Sequence, residues 1–479
     1  MDKKSFYITT TLPYVNSDPH IGFAMEIIRA DTVARWKKLN GFEVFFNTGT
    51  DEHGQKIWQK SVEAGVDTQK YVDEYAEKFK NLIPLLDISP DAHFVRTTDE
   101  HHIKSAQEFW KLCDKNGDIY KKNYSVKYCV GCELEKTDSE IENGHCTIHP
   151  NLELEVREEE NYFFKFSNYG QKLLDFYKSN PCFVIPESRF NEIKSFVSSG
   201  LQDFSISRLK EKMSWGVPVP GDDNHVMYVW FDALVSYISA LDWPENTANF
   251  EKFWINGTPT QYAGKDNLRQ QSAMWQAMLM SAHIPNSHQI VINGFINSGG
   301  QKMSKSLGNV INPKEIVNEY GADAFRYYVL REFNSFEDSD FTMEKFKEAY
   351  NANLANGLGN LVSRVMKMSE TNLPEPVNVS ISSYPDDYKL YFGDFDLNMV
   401  GNIIWHYISE IDKQVQSSEP FKLIKTDPEK AKNIISELVT KLYVVAKMLE
   451  PLMPQTSEKI LDLIKQNKSP ETPLFLRKG

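Results

Sequence analysis

Residues 5–15 (SFYITTTLPYV) are rich in aromatic and β-branched side chains and stop at Leu12-Pro13-Tyr14, so they read as a buried strand running into a loop. Asn16 to Gly22 then leads into a helix predicted from about Phe23 to Leu39. This order of elements restricts the chain strongly. A strand, a loop carrying His20 and Gly22, and a helix N-terminus form the nucleotide-binding corner of open α/β sheets, because the helix end offers N–H groups to phosphate. On its own, His20 is more often a hydrogen-bonded surface histidine than a catalyst.

A second corner of the same kind lies near residue 300. Gln289 to Ile296 (QIVINGFI) reads as a buried strand, Asn312-Pro313-Lys314-Glu315 opens a helix, and between them stands Gly299-Gly300-Gln301-Lys302-Met303-Ser304-Lys305-Ser306-Leu307-Gly308-Asn309. Glycines free the backbone of that loop, and Lys302 and Lys305 supply point charges suited to a polyphosphate. An isolated K-x-x-K is usually a pair of solvated lysines; two strand–loop–helix corners in one chain favour the phosphate reading. Two further strand ends carry acids. Gly41–Thr50 is expected as a strand ending in Asp51-Glu52-His53-Gly54, where Asp51 is either a ligand group or the N-cap of a helix beginning near Gln55. Phe253–Tyr262 is expected as another, ending before Ala263-Gly264-Lys265-Asp266, and residues 55–113 read as helical and loop-rich.

Three of the five cysteines fall in one window, which points to metal rather than to a disulfide scaffold. Cys129 and Cys132 form one C-x-x-C pair, Cys146 and His149 a second pair with the same spacing, and residues 133–145 join them. That is the pattern of a tetrahedral zinc knuckle, and four protein ligands make the expected zinc structural, one per chain. No apolar run is long enough to span a bilayer and the N-terminus has no leader-like apolar region, so a cytoplasmic protein without membrane contact is expected. A net charge of -13 argues against a protein that coats nucleic acid, though a local surface can still bind it.

In Tyr228–Tyr237 (YVWFDALVSY), Trp230, Ala233, Leu234 and Tyr237 share one helical face, ordinarily a sign of core packing. From about residue 345 helical patterning runs to the end, broken by a loop from 372 to 385. Such a bundle by itself reads as a packing or oligomerisation module.

The stretch Lys302–Ser306 resembles the KMSKS signature of the class I aminoacyl-tRNA synthetases, and His20–Phe23 (HIGF) resembles their HIGH signature with Phe23 in place of the second histidine. Over nearly the whole chain the similarity is greatest to the methionine-specific branch. It implies a Rossmann-type parallel-sheet catalytic domain with a zinc-knuckle insertion, followed by an all-α anticodon-binding bundle. The boundaries it implies are 1–114 and 226–308 for the two catalytic halves, 115–225 for the insertion, 309–345 for a linking segment and 346–479 for the bundle. It implies a ligase that activates L-methionine with ATP and Mg²⁺ and esterifies it to tRNA(Met), and a monomer is the simpler expectation.

Carried over residue by residue, the resemblance makes His20, Lys302 and Lys305 catalytic, and adds Gly22, Glu26 and Asp266 as nucleotide contacts. It assigns Leu12, Tyr14, Asp51, Trp230, Ala233, Leu234, Tyr237 and Gln271 to methionine, with Asp51 on the ammonium group and aromatic rings around the thioether. Asn267 and Gln271 stand where the family often has an apolar residue and a histidine. Asn360, Arg364 and Phe421 match anticodon-contacting positions, Phe421 in place of a base-stacking tryptophan. Other readings stay open on the residues: a cysteine-specific synthetase, a nucleotidyltransferase, and a non-catalytic tRNA-binding protein.

Overall fold

The structure, a computed structural model, describes residues 4–132, 134–136, 140–303, 309–381 and 383–479. The chain falls into two compact units. The first comprises Met1–Pro19, Gly41–Asn81 and Asp91–Ile292; the second comprises His20–Asn40, Leu82–Pro90 and Asn293–Gly479.

The first unit is built on a six-stranded sheet of β1 (Ser5–Thr9), β2 (Glu43–Thr50), β3 (His93–Arg96), β4 (Val184–Ile185), β5 (Thr258–Gly264) and β6 (Gln289–Asn293), in the order β3-β2-β1-β5-β6-β4. β1 pairs in parallel with both β2 and β5, β2 with β3, and β6 with β4. Strand order therefore runs outward in opposite directions from the junction of β1 and β5. In a doubly wound sheet that junction, at the strands' carboxyl ends, is where a ligand sits.

Between β3 and β5 the chain adds an antiparallel sheet whose long hairpin pairs Ile119–Cys129 with Glu155–Phe164, and a three-stranded sheet centred on Asp222–Met227. β4 lies within this stretch of sequence yet joins the edge of the parallel sheet. A buried aromatic cluster holds the unit together. Phe231 packs edge-on against Phe109 and Trp110, with ring centroids 5.9 and 5.2 Å apart, and Phe109 stacks on Trp275 at 5.4 Å. Phe231 thereby pins the helix Val229–Leu234 from its inner side, while its neighbour Trp230 stays partly exposed.

Two expectations need correction. Phe253–Tyr262 is not one strand: Phe250–Ile255 is helical and the strand begins at Thr258. Asn256-Gly257 makes the break, and a Cβ at Gly257 would stand 2.4 Å from the carbonyl oxygen of Phe253. Residues 55–113 also contain a strand, β3, besides their helices.

In the second unit the helix Ile21–Leu39 is buried over most of its length. Asp31 is the centre of its polar contacts: Arg326 and Arg35 each bring a guanidinium nitrogen to 2.8 Å, and Ser89 donates from its backbone N–H at 2.8 Å. Burial alone would raise the Asp31 pKa, but the two arginines and Ser89 hold it below the ordinary carboxylate value. A buried carboxylate is tolerated when it is paired and hydrogen-bonded in this way. Trp36 stacks on Phe392 at 4.6 Å. The helices Asn360–Asn372, Leu397–Ser418, Pro428–Leu449 and Pro454–Gln466 form the C-terminal bundle, and the loop between Asn372 and Asp386 falls where the sequence places it. Asn312 caps the helix Pro313–Tyr320 by accepting from Lys314 N–H, with Pro313 at its first position. Among the described residues no helix is long and apolar enough to cross a membrane.

Candidate active site

At the carboxyl end of β1 the chain runs through Thr10 to Val15 beside the end of β2. Asp51 donates its N–H to Pro13 O at 3.0 Å and accepts from Val15 N–H at 3.2 Å, so Tyr14 and Asp51 bridge like strand residues. Asp51 is buried, and the following helix Gln55–Ala64 has Gly54 at its N-cap position. The N-cap position of that helix is therefore held by Gly54 and not by Asp51. Tyr14 meets Trp230 edge-on with centroids 6.2 Å apart. Leu12, Tyr14 and Trp230 are half-buried, whereas Ala233, Leu234, Tyr237 and Gln271 are buried. Gln271 donates from Nε2 to Tyr237 Oη at 2.6 Å, so these two predicted residues meet directly. At the end of β5, Asp266 is exposed and accepts from Asn267 Nδ2 at 3.3 Å.

Behind this wall lies a polar cluster that the sequence reading missed. Asp232 is wholly buried in the aromatic helix, with Oδ2 2.6 Å from His53 Nδ1 and Oδ1 2.7 Å from His102 Nε2. His102 Nδ1 in turn lies 2.8 Å from Ser239 Oγ. Burial acts to raise the Asp232 pKa, but the two imidazoles outweigh it and bring it down to about 2. The available signal was an acid inside an apolar helix: such a group needs partners, and His53 beside Asp51 supplied one candidate. Glu52 is likewise held, accepting from Arg96 Nε at 2.7 Å and from Arg96 Nη2 at 2.8 Å. The carboxyl end of β2 is therefore fixed by the side-chain pairs of the two residues that follow Asp51, Glu52 with Arg96 and His53 with Asp232.

In the second unit, His20 is the N-cap of the helix Ile21–Leu39: its Nδ1 accepts from Gly22 N–H at 3.0 Å. Because Nδ1 accepts, the proton of the neutral ring is on Nε2, which makes Nε2 a donor. Burial lowers the His20 pKa below its ordinary value and favours that neutral form. Glycine at position 22 is required by the same cap, since a Cβ there would stand 2.9 Å from His20 Cε1. The same Cβ would lie 3.7 Å from Met303 Cε, so the lysine loop reaches the histidine corner. That loop begins with a tight turn: Ser298 pairs with Gln301 across Gly299 and Gly300, both at positive φ, and Gly300 donates its N–H to Asp340 Oδ1 at 2.6 Å. Lys302 closes the hairpin by its backbone; its side chain, and Lys305 with the rest of 304–308, lie outside the described residues. Glu26 is buried on the helix one turn past Gly22.

Cys129, Cys132, Cys146 and His149 converge, with their ligand atoms all within 4.8 Å of one another. Cys129 ends the long hairpin strand, and Cys146 follows a two-residue turn in which Asn143 and Gly144 both take positive φ. Gly131 is needed between the first two cysteines, because a Cβ there would strike the His149 ring at 2.7 Å. Three sulfurs and one imidazole so placed can hold a soft divalent metal.

In the bundle, Asn360 is exposed at the start of its helix, and Arg364 one turn on pairs with Asp412 Oδ1 at 2.7 Å. The helix bearing Asp412 ends at Ser418; Glu419 reverses the chain at φ 40 and Phe421 follows, 46% exposed. An exposed aromatic ring offers a face on which a flat, unpaired ring can stack.

The family of class I tRNA synthetases (M) matches residues 6–151 and 132–366. A methionine–tRNA ligase of Thermotoga maritima is 40% identical, covering 97% of this chain and 76% of the relative. One from Brucella suis is 38% identical and covers 97% of this chain and 92% of the relative. Among solved structures, Mycobacterium tuberculosis methionyl-tRNA synthetase in complex with methionyl-adenylate superposes with a TM-score of 0.91 at 34% identity, covering 99% of this chain and all of that one.

Proposed function

Because this chain belongs to the class I methionine–tRNA ligases, we propose that its two strand–loop–helix corners divide the work of activating L-methionine with ATP. The reaction has two steps. The methionine carboxylate attacks the α-phosphate of ATP in line, giving methionyl-adenylate and pyrophosphate, and a terminal ribose hydroxyl of tRNA(Met) then attacks the adenylate. The protein supplies positioning and charge stabilisation rather than covalent chemistry.

The observation that carries the residue assignment is the buried Asp51, held beside Tyr14 at the carboxyl ends of β1 and β2, with Trp230 against Tyr14. Asp51 suits the substrate ammonium group. Leu12, Tyr14, Trp230, Ala233, Leu234, Tyr237 and Gln271 surround its side chain, where sulfur and aromatic rings attract each other. His20 donates from Nε2 to the phosphates as negative charge develops, with Lys302 and Lys305 adding point charges and Mg²⁺ accompanying ATP. Gly22, Glu26 and Asp266 contact the nucleotide. The segments 1–114 and 226–308 act as the catalytic halves, 115–225 as the insertion, 309–345 as the link and 346–479 as the tRNA-reading bundle of a cytoplasmic monomer.

Cys129, Cys132, Cys146 and His149 would hold one zinc ion, which contributes folding energy to the short hairpins around it. Replacing Cys129 and Cys132 by serine should remove zinc from the purified protein, read by elemental analysis, and destabilise it. Full zinc content in that variant would refute the assignment.

Asn360, Arg364 and Phe421 are assigned to the anticodon. Stacking on an aromatic ring contributes roughly 1–3 kcal/mol per base, so Phe421→Ala should lower tRNA charging about tenfold to a hundredfold. Methionine-dependent exchange of pyrophosphate into ATP should stay near the parent value, since it needs no tRNA. If Phe421→Ala charges tRNA like the parent, the bundle does not read the anticodon through this ring.

A further inference from the structure

The ladder between β2 and β3 ends at Thr50 and Arg96, and the backbone that continues through Asp51, Glu52 and His53 is buried. Buried peptide groups beyond the end of a ladder need other partners. Here two residues from distant parts of the first unit supply them. Thr97, one position past β3, donates its N–H to Thr50 O at 3.3 Å, and its Oγ1 accepts from Glu52 N–H at 2.9 Å. Thr97 thus grips both peptide planes that flank the Asp51 Cα, and those two planes fix the direction in which the Asp51 side chain leaves the backbone. The next plane is held from outside the parallel sheet: Glu52 O accepts from Trp215 Nε1 at 2.6 Å. Trp215 stands on the loop between Ser207–Leu209 and Pro218–Val219, the outer strands of the three-stranded sheet. Gly216 lets that loop lie close to the central strand, since a Cβ there would stand 3.1 Å from Val226 Cβ, and Val217 O accepts from Met227 N–H at 2.7 Å. The Trp215 ring also lies against the His53 ring, with centroids 5.7 Å apart. Glu52 and Thr97 are at 0% exposure, so water cannot replace either bond.

We propose that Thr97 and Trp215 are positioning residues for binding of the amino-acid ammonium group: together they clamp the backbone around Asp51, so that its carboxylate is aimed before the substrate arrives. This inference rests on the assignment of Asp51 to that group. A charge-assisted hydrogen bond from an ammonium to a carboxylate needs its heavy atoms about 2.7–2.9 Å apart, so a small turn of either peptide plane weakens it. Aiming the acid in advance also spares the substrate the cost of ordering it. The clamp has two sources. One is the parallel sheet itself, through Thr97; the other is the segment assigned to the insertion, through Trp215, which thereby takes part in amino-acid binding.

The test is methionine-dependent exchange of pyrophosphate into ATP by the full chain, with KM measured separately for methionine and for ATP. Trp215→Phe keeps an aromatic ring and removes the indole N–H; Thr97→Val keeps the branched shape and removes the hydroxyl. Each should raise the methionine KM about three- to tenfold, the size expected from losing one net hydrogen bond, and leave the ATP KM within about twofold. Thr97→Ser keeps the hydroxyl and should recover the parent methionine KM. If one of the two variants does not fold, the other is read in the same way. Equal rises in both KM values, or an unchanged methionine KM in a folded Trp215→Phe or Thr97→Val protein, overturn the clamp. Asp51→Asn separates that failure from failure of the assignment beneath it. A raised methionine KM in Asp51→Asn beside a parent-like Trp215→Phe overturns the clamp alone, whereas a parent-like Asp51→Asn overturns the assignment and the clamp together.

Discussion

Replacing His20 with alanine should slow methionyl-adenylate formation by about 100- to 1,000-fold, the range for losing one preorganised donor to developing charge, while methionine binding changes only a few-fold. Two functions of the ring are lost at once. Nδ1 caps the helix Ile21–Leu39 through Gly22 N–H, and Nε2 carries the proton that can reach a phosphate oxygen. His20→Asn separates them: asparagine is a good N-cap, so it should restore thermal stability to near the parent value but not the rate. A full recovery of rate in His20→Asn would show that the histidine serves only as a cap. The pH dependence follows from the direction of the shift. Burial lowers the His20 pKa from 6.5, so the neutral, capping form persists below pH 6.5. In the unfolded chain the same ring takes up its proton first, so its contribution to stability is full above 6.5 and is lost as pH falls through the lowered folded value. Adenylate formation should therefore hold through pH 6.5 and decline only as pH falls through the lowered folded value, measured by single-turnover assays from pH 7 downward.

Asp232→Ala should cost about 3–5 kcal/mol of stability, the usual effect of removing one member of a buried, paired charge cluster. For a unit of this size that corresponds to a fall in Tm of about 10 °C. The cause is specific: His53 and His102 would each lose a carboxylate oxygen, at 2.6 and 2.7 Å, with no water to replace it. Because Asp232 shares its helix with Trp230 and Ala233, the variant should also raise the KM for methionine more than that for ATP. The acid limb of parent stability carries the same signature. With the Asp232 pKa brought down from 3.8 to about 2, its contribution is present above 3.8 and disappears as pH falls through about 2. A variant that melts with the parent, at unchanged methionine KM, would leave the cluster without the role given to it here.

What could be read in the sequence was whatever local chemistry dictates. The helix start at Asn312-Pro313, the break between residues 372 and 385, and the convergence of Cys129, Cys132, Cys146 and His149 all follow from caps, breakers or ligand spacing within a few residues. The helical stretch Phe250–Ile255 went unread because its aromatic residues favour a strand, and only the close approach of Gly257 to Phe253 O reveals the turn. β3 is four residues long, too short for alternation to register. The members of the Asp232 cluster were hidden for a different reason. Their partners lie far apart in sequence, and helical periodicity reports only that such positions are buried, not which polar atom answers which.

Methionine activation is the reaction that joins these residues. Its most direct test is ATP–pyrophosphate exchange by the purified protein with each of the twenty amino acids and no tRNA. Exchange is expected to depend on L-methionine and on Mg²⁺, to fall about 100- to 1,000-fold in His20→Ala, and to be weak or absent with cysteine, leucine and isoleucine. Exchange that prefers another amino acid, or none at all from folded protein, would contradict it.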